Sequence, residues 1–375
     1  MQAWFSRFIR GRTFAILFYM LGAGLILYLT SRLGILAESW FGYSLRPAIL
    51  LLLSAICLYM LIYVNTKKDD KKPQKLFHLC GILFCFFPSM IACFLLFDLL
   101  RGIFGIEDGR LYLIPFLIAV GISLYGFGHA RKLTVREYTV PILPDSDPHQ
   151  PDLTAVLLSD IHAGSYVTRH QLHKIVETVN GLHPDLVILA GDTFDQDAFG
   201  HCDMDGIRTE LQHLTPKGRI YAVLGNHDPK STHPEVRDYF RSAGIRLLID
   251  QWADTDHLRI AGRDDILGNP DRKPLNTILP ADAPGKPLIV IDHNPLGIDE
   301  AVRSGASLIL CGHTHKGQFF PATLFTKWAY GRRGFYGHCQ TGGCHSIVSS
   351  GAGYFQLPVR IGTDSEVVAI HLVKS

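Results

Sequence analysis

Aspartate, asparagine and histidine recur in this chain directly after short apolar runs, and their spacing describes a chemistry. Asp160 and His162 follow Val156-Leu157-Leu158, and Asp192 follows Leu186-Val187-Ile188-Leu189-Ala190-Gly191. Asn226 and His227 follow Val223-Leu224-Gly225, His293 follows Val290-Ile291-Asp292, and His313 and His315 follow Leu310-Cys311-Gly312. An apolar run of this length closed by Gly or a polar residue reads as a buried strand. Ligand sites in α/β sheets lie beyond the carboxyl ends of such strands. Five strand ends that offer Asp, Asn and His, with no Lys or Arg among those letters, describe one metal cluster, with Asp192 as the natural bridge between two ions. His227 supplies a mobile proton, and Asp228 beside it can orient the ring. Asp195, which completes Gly-Asp-x-x-Asp, is expected to fix the loop and not to bind the ion.

The elements that must position these residues follow from the apolar periodicity. A first strand is expected over Leu133–Val140, then a Pro- and Asp-rich linker over Pro141–Pro151, then strands ending at each ligand group. Helical spacing covers Thr168–Leu182 through Leu172, Ile175, Val176 and Val179, and shorter helical patterns cover Asp205–Leu214 and Pro234–Ala243. Pro295, two residues after His293, should end a strand and start a helix. Cys339 and Cys344 flank a Gly-rich turn beside His338 and His345; their spacing matches no common zinc pattern, so an irregular loop is expected.

Composition divides the 375 residues near Gly128. Only one of the 18 histidines, His78, precedes that point. Four apolar stretches also precede it, Phe14–Leu29, Pro47–Val64, Leu76–Phe97 and Leu111–Gly128, and they are expected to span a membrane. One set of flanks carries eleven cations, from Arg7, Arg10 and Arg12 through Lys67–Lys75 to Arg131, Lys132 and Arg136; the other carries four, Arg32, Arg46, Arg101 and Arg110. That excess places the soluble half in the cytoplasm, held to the cell (inner) membrane by several spans. Among the ionisable residues in or near the spans, His78 and Asp98 fall at stretch ends, which favours an anchor over a transporter. A net charge of +2 gives no reason to expect nucleic-acid binding. The expected organisation is a four-helix anchor over residues 1–132, a first strand and linker over 133–152, and a catalytic domain over 153–375.

Together the motif blocks resemble the calcineurin-like metallophosphoesterases over about Leu153–Leu372, intact and in family order. The tail Ser349-Ser350-Gly351-Ala352-Gly353, Pro358-x-Arg360 and Glu366-Val367 is similar to the ending of the bacterial branch with single-chain phosphodiesterases. The resemblance implies an α/β fold of two mixed sheets packed face to face with helices outside, preceded here by a helical transmembrane domain. It implies one divalent ion on Asp160, His162, Asp192 and His315 and a second on Asp192, Asn226, His293 and His313. Manganese suits this donor set best, with iron or zinc as alternatives. Two such ions about 3.5 to 4 Å apart would clamp a phosphoryl group and acidify a water for in-line attack, while His227 and Asp228 protonate the leaving oxygen. Departures from the family pattern are Asp292 before the lone His, Lys316 after the last one, and the anchor itself. An active site held at the inner leaflet favours a lipid-linked or nucleotide-activated phosphodiester or pyrophosphate, such as an activated acylated sugar. The aromatic and basic run Phe319–Tyr336 is expected to form a lip for lipid. The rivals are an anchored phosphodiesterase for soluble substrates and a non-catalytic membrane scaffold.

Overall fold

The computed structural model describes residues 12–65, 74–145, 151–164, 167–195, 198–280 and 285–375, and divides the chain into two units, 1–127 and 128–375. In the first unit, helices cover Arg12–Phe41, Arg46–Asn65, Gln74–Phe84, Phe86–Phe104 and Leu113–Ala130, the last running three residues past the boundary. Three segments are long and apolar enough to cross a membrane, Tyr19–Phe41, Leu79–Phe104 and Gly109–Ala130, and the fourth apolar helix, Arg46–Ile62, is shorter. Leu29, Leu53, Phe94 and Ala119 pack inward, whereas Met20, Leu51, Leu96, Leu99 and Leu117 face outward and are exposed, as in a bundle whose solvent is lipid. The break at Cys85 lies one residue beyond Phe84, whose carbonyl the ring of Pro88 excludes from the helical ladder.

Two expectations for this unit change. The first helix continues past Leu29 to Phe41, and Asp98 lies inside a helix, not at its end. One contact explains both. Arg32 donates to the Asp98 carboxylate at 2.7 Å, Tyr28 donates to it at 2.7 Å, and Tyr112 donates as well, so both charges are neutralised within the bundle. Six of the eleven cations that set the expected orientation, Arg7, Arg10, Lys67, Lys68, Lys71 and Lys72, lie outside the described residues.

The second unit is built on two six-stranded sheets. The first contains β1 (Leu133–Leu143), β2 (Leu153–Leu158), β3 (Leu186–Ala190), β4 (Ile220–Val223) and β5 (Arg246–Leu247). The second contains β6 (Gln251–Asp254), β7 (Arg259–Gly262), β8 (Leu288–Ile291), β9 (Leu308–Cys311), β10 (Gly337–Thr341) and β11 (Cys344–Val348), and β12 (Ser365–Lys374) returns to the first sheet. The orders are β1-β12-β2-β3-β4-β5 and β10-β11-β9-β8-β7-β6, with β2 to β5 parallel in the first and β7, β8, β9 and β11 parallel in the second. Among them β3, β4, β8 and β9 are fully buried on both faces, which is why they read as unbroken apolar runs. Leu157, Ile188, Ile260, Ile291, Leu310 and Ile370 fill the space between the sheets. Outside the first sheet, helices Arg169–Gly181, Met204–Leu211 and Pro234–Ser242 cover Val156, Leu189 and Ala222; outside the second, Ile298–Arg303 covers Val290 and Ile309.

Three segments depart from the expected elements. β1 runs through Pro141 to Leu143, parallel to β12, so the linker starts later than composition suggests; as an edge strand it tolerates a proline. Cys339 and Cys344 sit on a two-stranded hairpin instead of an irregular loop, both as free thiols, with His338 and His345 2.9 Å apart on one face. Within Phe319–Tyr336, residues Ala322–Phe335 form a helix with a left-handed break at Gly331.

Candidate metal centre

Five of the seven expected ligand residues leave their strands through an abrupt turn. Asp160, His162, Asp192, His313 and His315 all have left-handed backbone angles, with φ of 49°, 50°, 49°, 72° and 47°. Non-glycine residues there cost about 1 to 3 kcal/mol each and persist only where their surroundings over-determine them. Here the strand ladders continue past the strand ends and hold them. Asp160 N–H donates to the Gly191 carbonyl and His162 N–H to the Asp192 carbonyl, both at 3.0 Å, and Gly312 N–H reaches the His293 carbonyl at 3.0 Å. The glycines before the ligands leave room for carboxylates. A Cβ on Gly225 would lie 2.2 Å from Asp192 Oδ1, and one on Gly312 would lie 2.2 Å from Asp160 Oδ2.

The ends of β2, β3, β4, β8 and β9 converge, so the seven expected ligands meet across the two sheets. His162 Nε2 lies 3.2 Å from His315 Nε2, and His315 Nε2 lies 3.3 Å from Asp160 Oδ1. His293 Nε2 lies 3.2 Å from Asp192 Oδ2, and His313 Nδ1 lies 2.8 Å from Asn226 Oδ1. Ligand atoms of Asp160, His162 and His315 all fall within 4.8 Å of one another, as do those of Asp160, Asp192 and His293. The first group matches three of the four residues that the resemblance assigns to one ion. The second joins His293 to both carboxylates, while Asn226 and His313 form its open side.

The donor set fits divalent cations. His293 Nδ1 donates to the Ala190 carbonyl at 2.8 Å, which turns the lone pair of a neutral ring, on Nε2, toward the Asp192 carboxylate. A lone pair facing a carboxylate at that distance is repulsive unless a positive charge stands between them. Among the described residues, the buried His293 Nε2, His162 Nδ1 and His315 Nδ1 atoms have no hydrogen-bond partner. The electrostatics carry the same tension. Burial opposes charge on His293, yet Asp192 holds its pKa well above the usual value. Burial pushes Asp192 up, but the rings of His293, His162 and His227 pull it far below the carboxylate range. His313 falls to about 3 through burial and the charge on His293.

His227 and Asp228 stand differently from expectation. The His227 backbone N–H donates to Asp192 Oδ1 at 2.7 Å, while its ring lies over Phe355 and edge-on to His162. Burial lowers its pKa. The Asp228 carboxylate does not engage that ring. It accepts from Gly225 N–H at 2.8 Å and Phe194 N–H at 2.9 Å, and burial beside Asp192 raises its pKa to about 7. Asp228 therefore fastens the loop that carries Asn226 and His227. Asp195 Oδ1 lies 3.7 Å from His162 Nδ1. Asp292, the departure before His293, pairs with Arg272 at 2.6 Å and so carries a structural charge.

Two contributors were not readable from the motifs. Tyr330 places its hydroxyl 2.8 Å from His313 Nε2, and the segment around Phe355 and Leu357 forms an apolar wall beside the cluster. Wall and ligands enclose a cavity of about 430 Å³ with Asp192, Asn226, His227 and His313 on its polar side. Arg360, fully buried, donates to the Ser350 and Gly353 carbonyls at 2.7 and 2.6 Å and pins the Gly351–Gly353 turn against Asp160.

A double mixed sheet with carboxylate, amide and imidazole ligands gathered at its strand ends defines a metal-binding α/β protein. The family model described as Calcineurin-like phosphoesterase matches residues 153–317. A relative named "Transmembrane protein with metallophosphoesterase domain" from Danio rerio is 31% identical over 285 residues, which cover 70% of this chain and 63% of the relative. Its namesake from Bos taurus is 30% identical and is covered over 61% of its length. The "Uncharacterized metallophosphoesterase YkuE" of Bacillus subtilis is 30% identical over 66% of this chain and 90% of its own. This chain belongs to the calcineurin-like metallophosphoesterase family. It spans 63% and 61% of the two animal relatives.

Proposed function

We propose that the chain is a membrane-anchored phosphodiesterase with a dinuclear metal site facing the cytoplasm. The observation that carries this reading is the convergence of Asp160, His162, Asp192, Asn226, His293, His313 and His315 beside one cavity, with buried imidazole nitrogens left without protein partners. Asp160, His162, Asp192 and His315 would hold one ion, and Asp192, Asn226, His293 and His313 the other. Two divalent ions, manganese above iron or zinc, would supply charge to neutralise a phosphoryl group and acidify water. The residues around them do the rest. His227, at the cavity edge, holds the proton for the leaving oxygen. The Asp228 carboxylate fixes its loop through two backbone amides, and Tyr330 orients His313.

The cavity wall supports an amphipathic substrate. Phe319, Ala322, Phe355 and Leu357 give one side an apolar surface, while the opposite side is ligand-lined. A phosphodiester or pyrophosphate attached to a lipid, nucleotide-activated or not, satisfies both surfaces. Manganese-stimulated hydrolysis of bis-p-nitrophenyl phosphate, lost in Asp192→Ala and His227→Ala, is the expected result. No turnover by folded, metal-loaded protein with any divalent metal would refute the phosphodiesterase reading. Turnover of lipid-linked esters no faster than of the soluble aryl diester would refute the lipid preference alone.

A further inference from the structure

The helix Ala322–Phe335 carries its apolar residues on the wrong side for a surface helix. Its inner side is small or polar: Ala322 and Thr326 border the cavity, and Tyr330 reaches His313. Its outer side presents Leu324, Phe325 and Trp328, which are 60%, 54% and 63% exposed, with Phe320 at 57% in the turn before it. Leu324, Phe325 and Trp328 fall at helical spacing and form one ridge instead of scattered single residues, with Phe320 exposed in the turn before it. Lys327 and Arg332 are exposed beside the ridge, as is Arg333, which pairs with Asp299 at 2.9 Å. No Asp or Glu occurs between Glu300 and Asp364.

We propose that this ridge inserts into the headgroup–acyl boundary of an anionic bilayer. Trp, Phe and Leu on one face with Lys and Arg beside them is the composition of an interfacial helix. The charge pattern selects this occupant over a second copy of the chain. A symmetric contact through the ridge would set Lys327 and Arg332 near their own copies, while Asp299, the carboxylate beside them, is already paired with Arg333. It selects anionic over neutral lipid, because clustered Lys and Arg gain energy only where the surface potential is negative. The proposal rests on the reading of the chain as membrane-anchored, which keeps the helix within reach of a bilayer. It does not require catalysis. Docked in this way, the inner side of the helix would present the cavity to molecules still embedded in the leaflet.

The test uses the full chain, one copy per nanodisc, with brominated acyl chains as quenchers. The emission lost between wild type and Trp328→Phe isolates that indole from Trp4, Trp40 and Trp252. In discs containing phosphatidylglycerol, bromination should remove most of the Trp328 emission. Lys327→Gln with Arg332→Gln, or Leu324→Glu with Phe325→Glu, should restore it. An unquenched Trp328 would overturn the proposal, as would equal quenching in pure phosphatidylcholine. Hydrolysis of the soluble aryl diester should be unchanged in Leu324→Glu/Phe325→Glu, since neither residue lines the cavity. Absence of that hydrolysis in wild type would sink the proposed function, while the emission still decides the docking.

Discussion

Tyr330 sets its hydroxyl 2.8 Å from His313 Nε2, the ring nitrogen that remains when Nδ1 faces Asn226. Such an outer partner fixes the tautomer and direction of a metal-binding ring, and its loss typically weakens metal affinity about 10- to 100-fold. Tyr330→Phe should therefore raise the dissociation constant for manganese, measured by calorimetric titration, with unchanged circular dichroism. At Asp228 the expected effect is on the fold as well. Its carboxylate holds two buried backbone amides, and hydrogen bonds to a charged group are worth about 1.5 to 3 kcal/mol. Asp228→Ala should lower the unfolding midpoint, whereas His227→Ala should lose turnover with little change in the midpoint. If both variants unfolded like wild type, the loop-fastening role of Asp228 would be wrong. That role was not legible in the sequence, because adjacency of His227 and Asp228 says nothing about where each side chain points. Tyr330 was hidden for a related reason, since only the fold brings a residue 17 positions away onto the His313 ring.

The strand ends were the legible part of the chain. Strands β3, β4, β8 and β9 are buried on both faces and appear as apolar runs, and the first polar letter after each marks the site except at β8, where Asp292 stands before His293. The glycine in front of several ligands is also legible once its neighbour is known. Gly312→Ala would drive a Cβ into Asp160 Oδ2 and should displace that carboxylate from the cluster. The expected outcome is loss of about one metal equivalent by elemental analysis, with the secondary structure retained. Full occupancy in that variant would remove Asp160 from the ligand set. The run Phe319–Tyr336 was legible as a lip, but not as the helix Ala322–Phe335, because its apolar residues face outward. Leu324, Phe325 and Trp328 carry helical spacing but no core, and such spacing ordinarily signals burial.

In the whole molecule, two stabilising devices act in separate units. Binding of metal to the folded site alone stabilises by about 2.7 kcal/mol at a concentration 100 times the dissociation constant. Chelation should lower the unfolding midpoint of the catalytic unit, and manganese should restore it; a midpoint indifferent to chelator would argue against a metal centre. In the other unit, Asp98→Leu leaves Arg32 without its carboxylate and should cost on the order of 2 kcal/mol, discounted for partial exposure. Arg32→Met added to Asp98→Leu should recover most of the loss in a detergent-stability assay. The pairing of β1 with β12 has a further consequence, for the order of synthesis. β12 lies between β1 and β2 in the first sheet, yet it follows every ligand residue in the chain. Chains are made and fold from the amino end. The apolar helices therefore emerge first, and the sheet beneath Asp160 and Asp192 lacks a strand until the residues after Asp364 leave the ribosome. The polypeptide would already be committed to the bilayer before it has a completed place to keep metal.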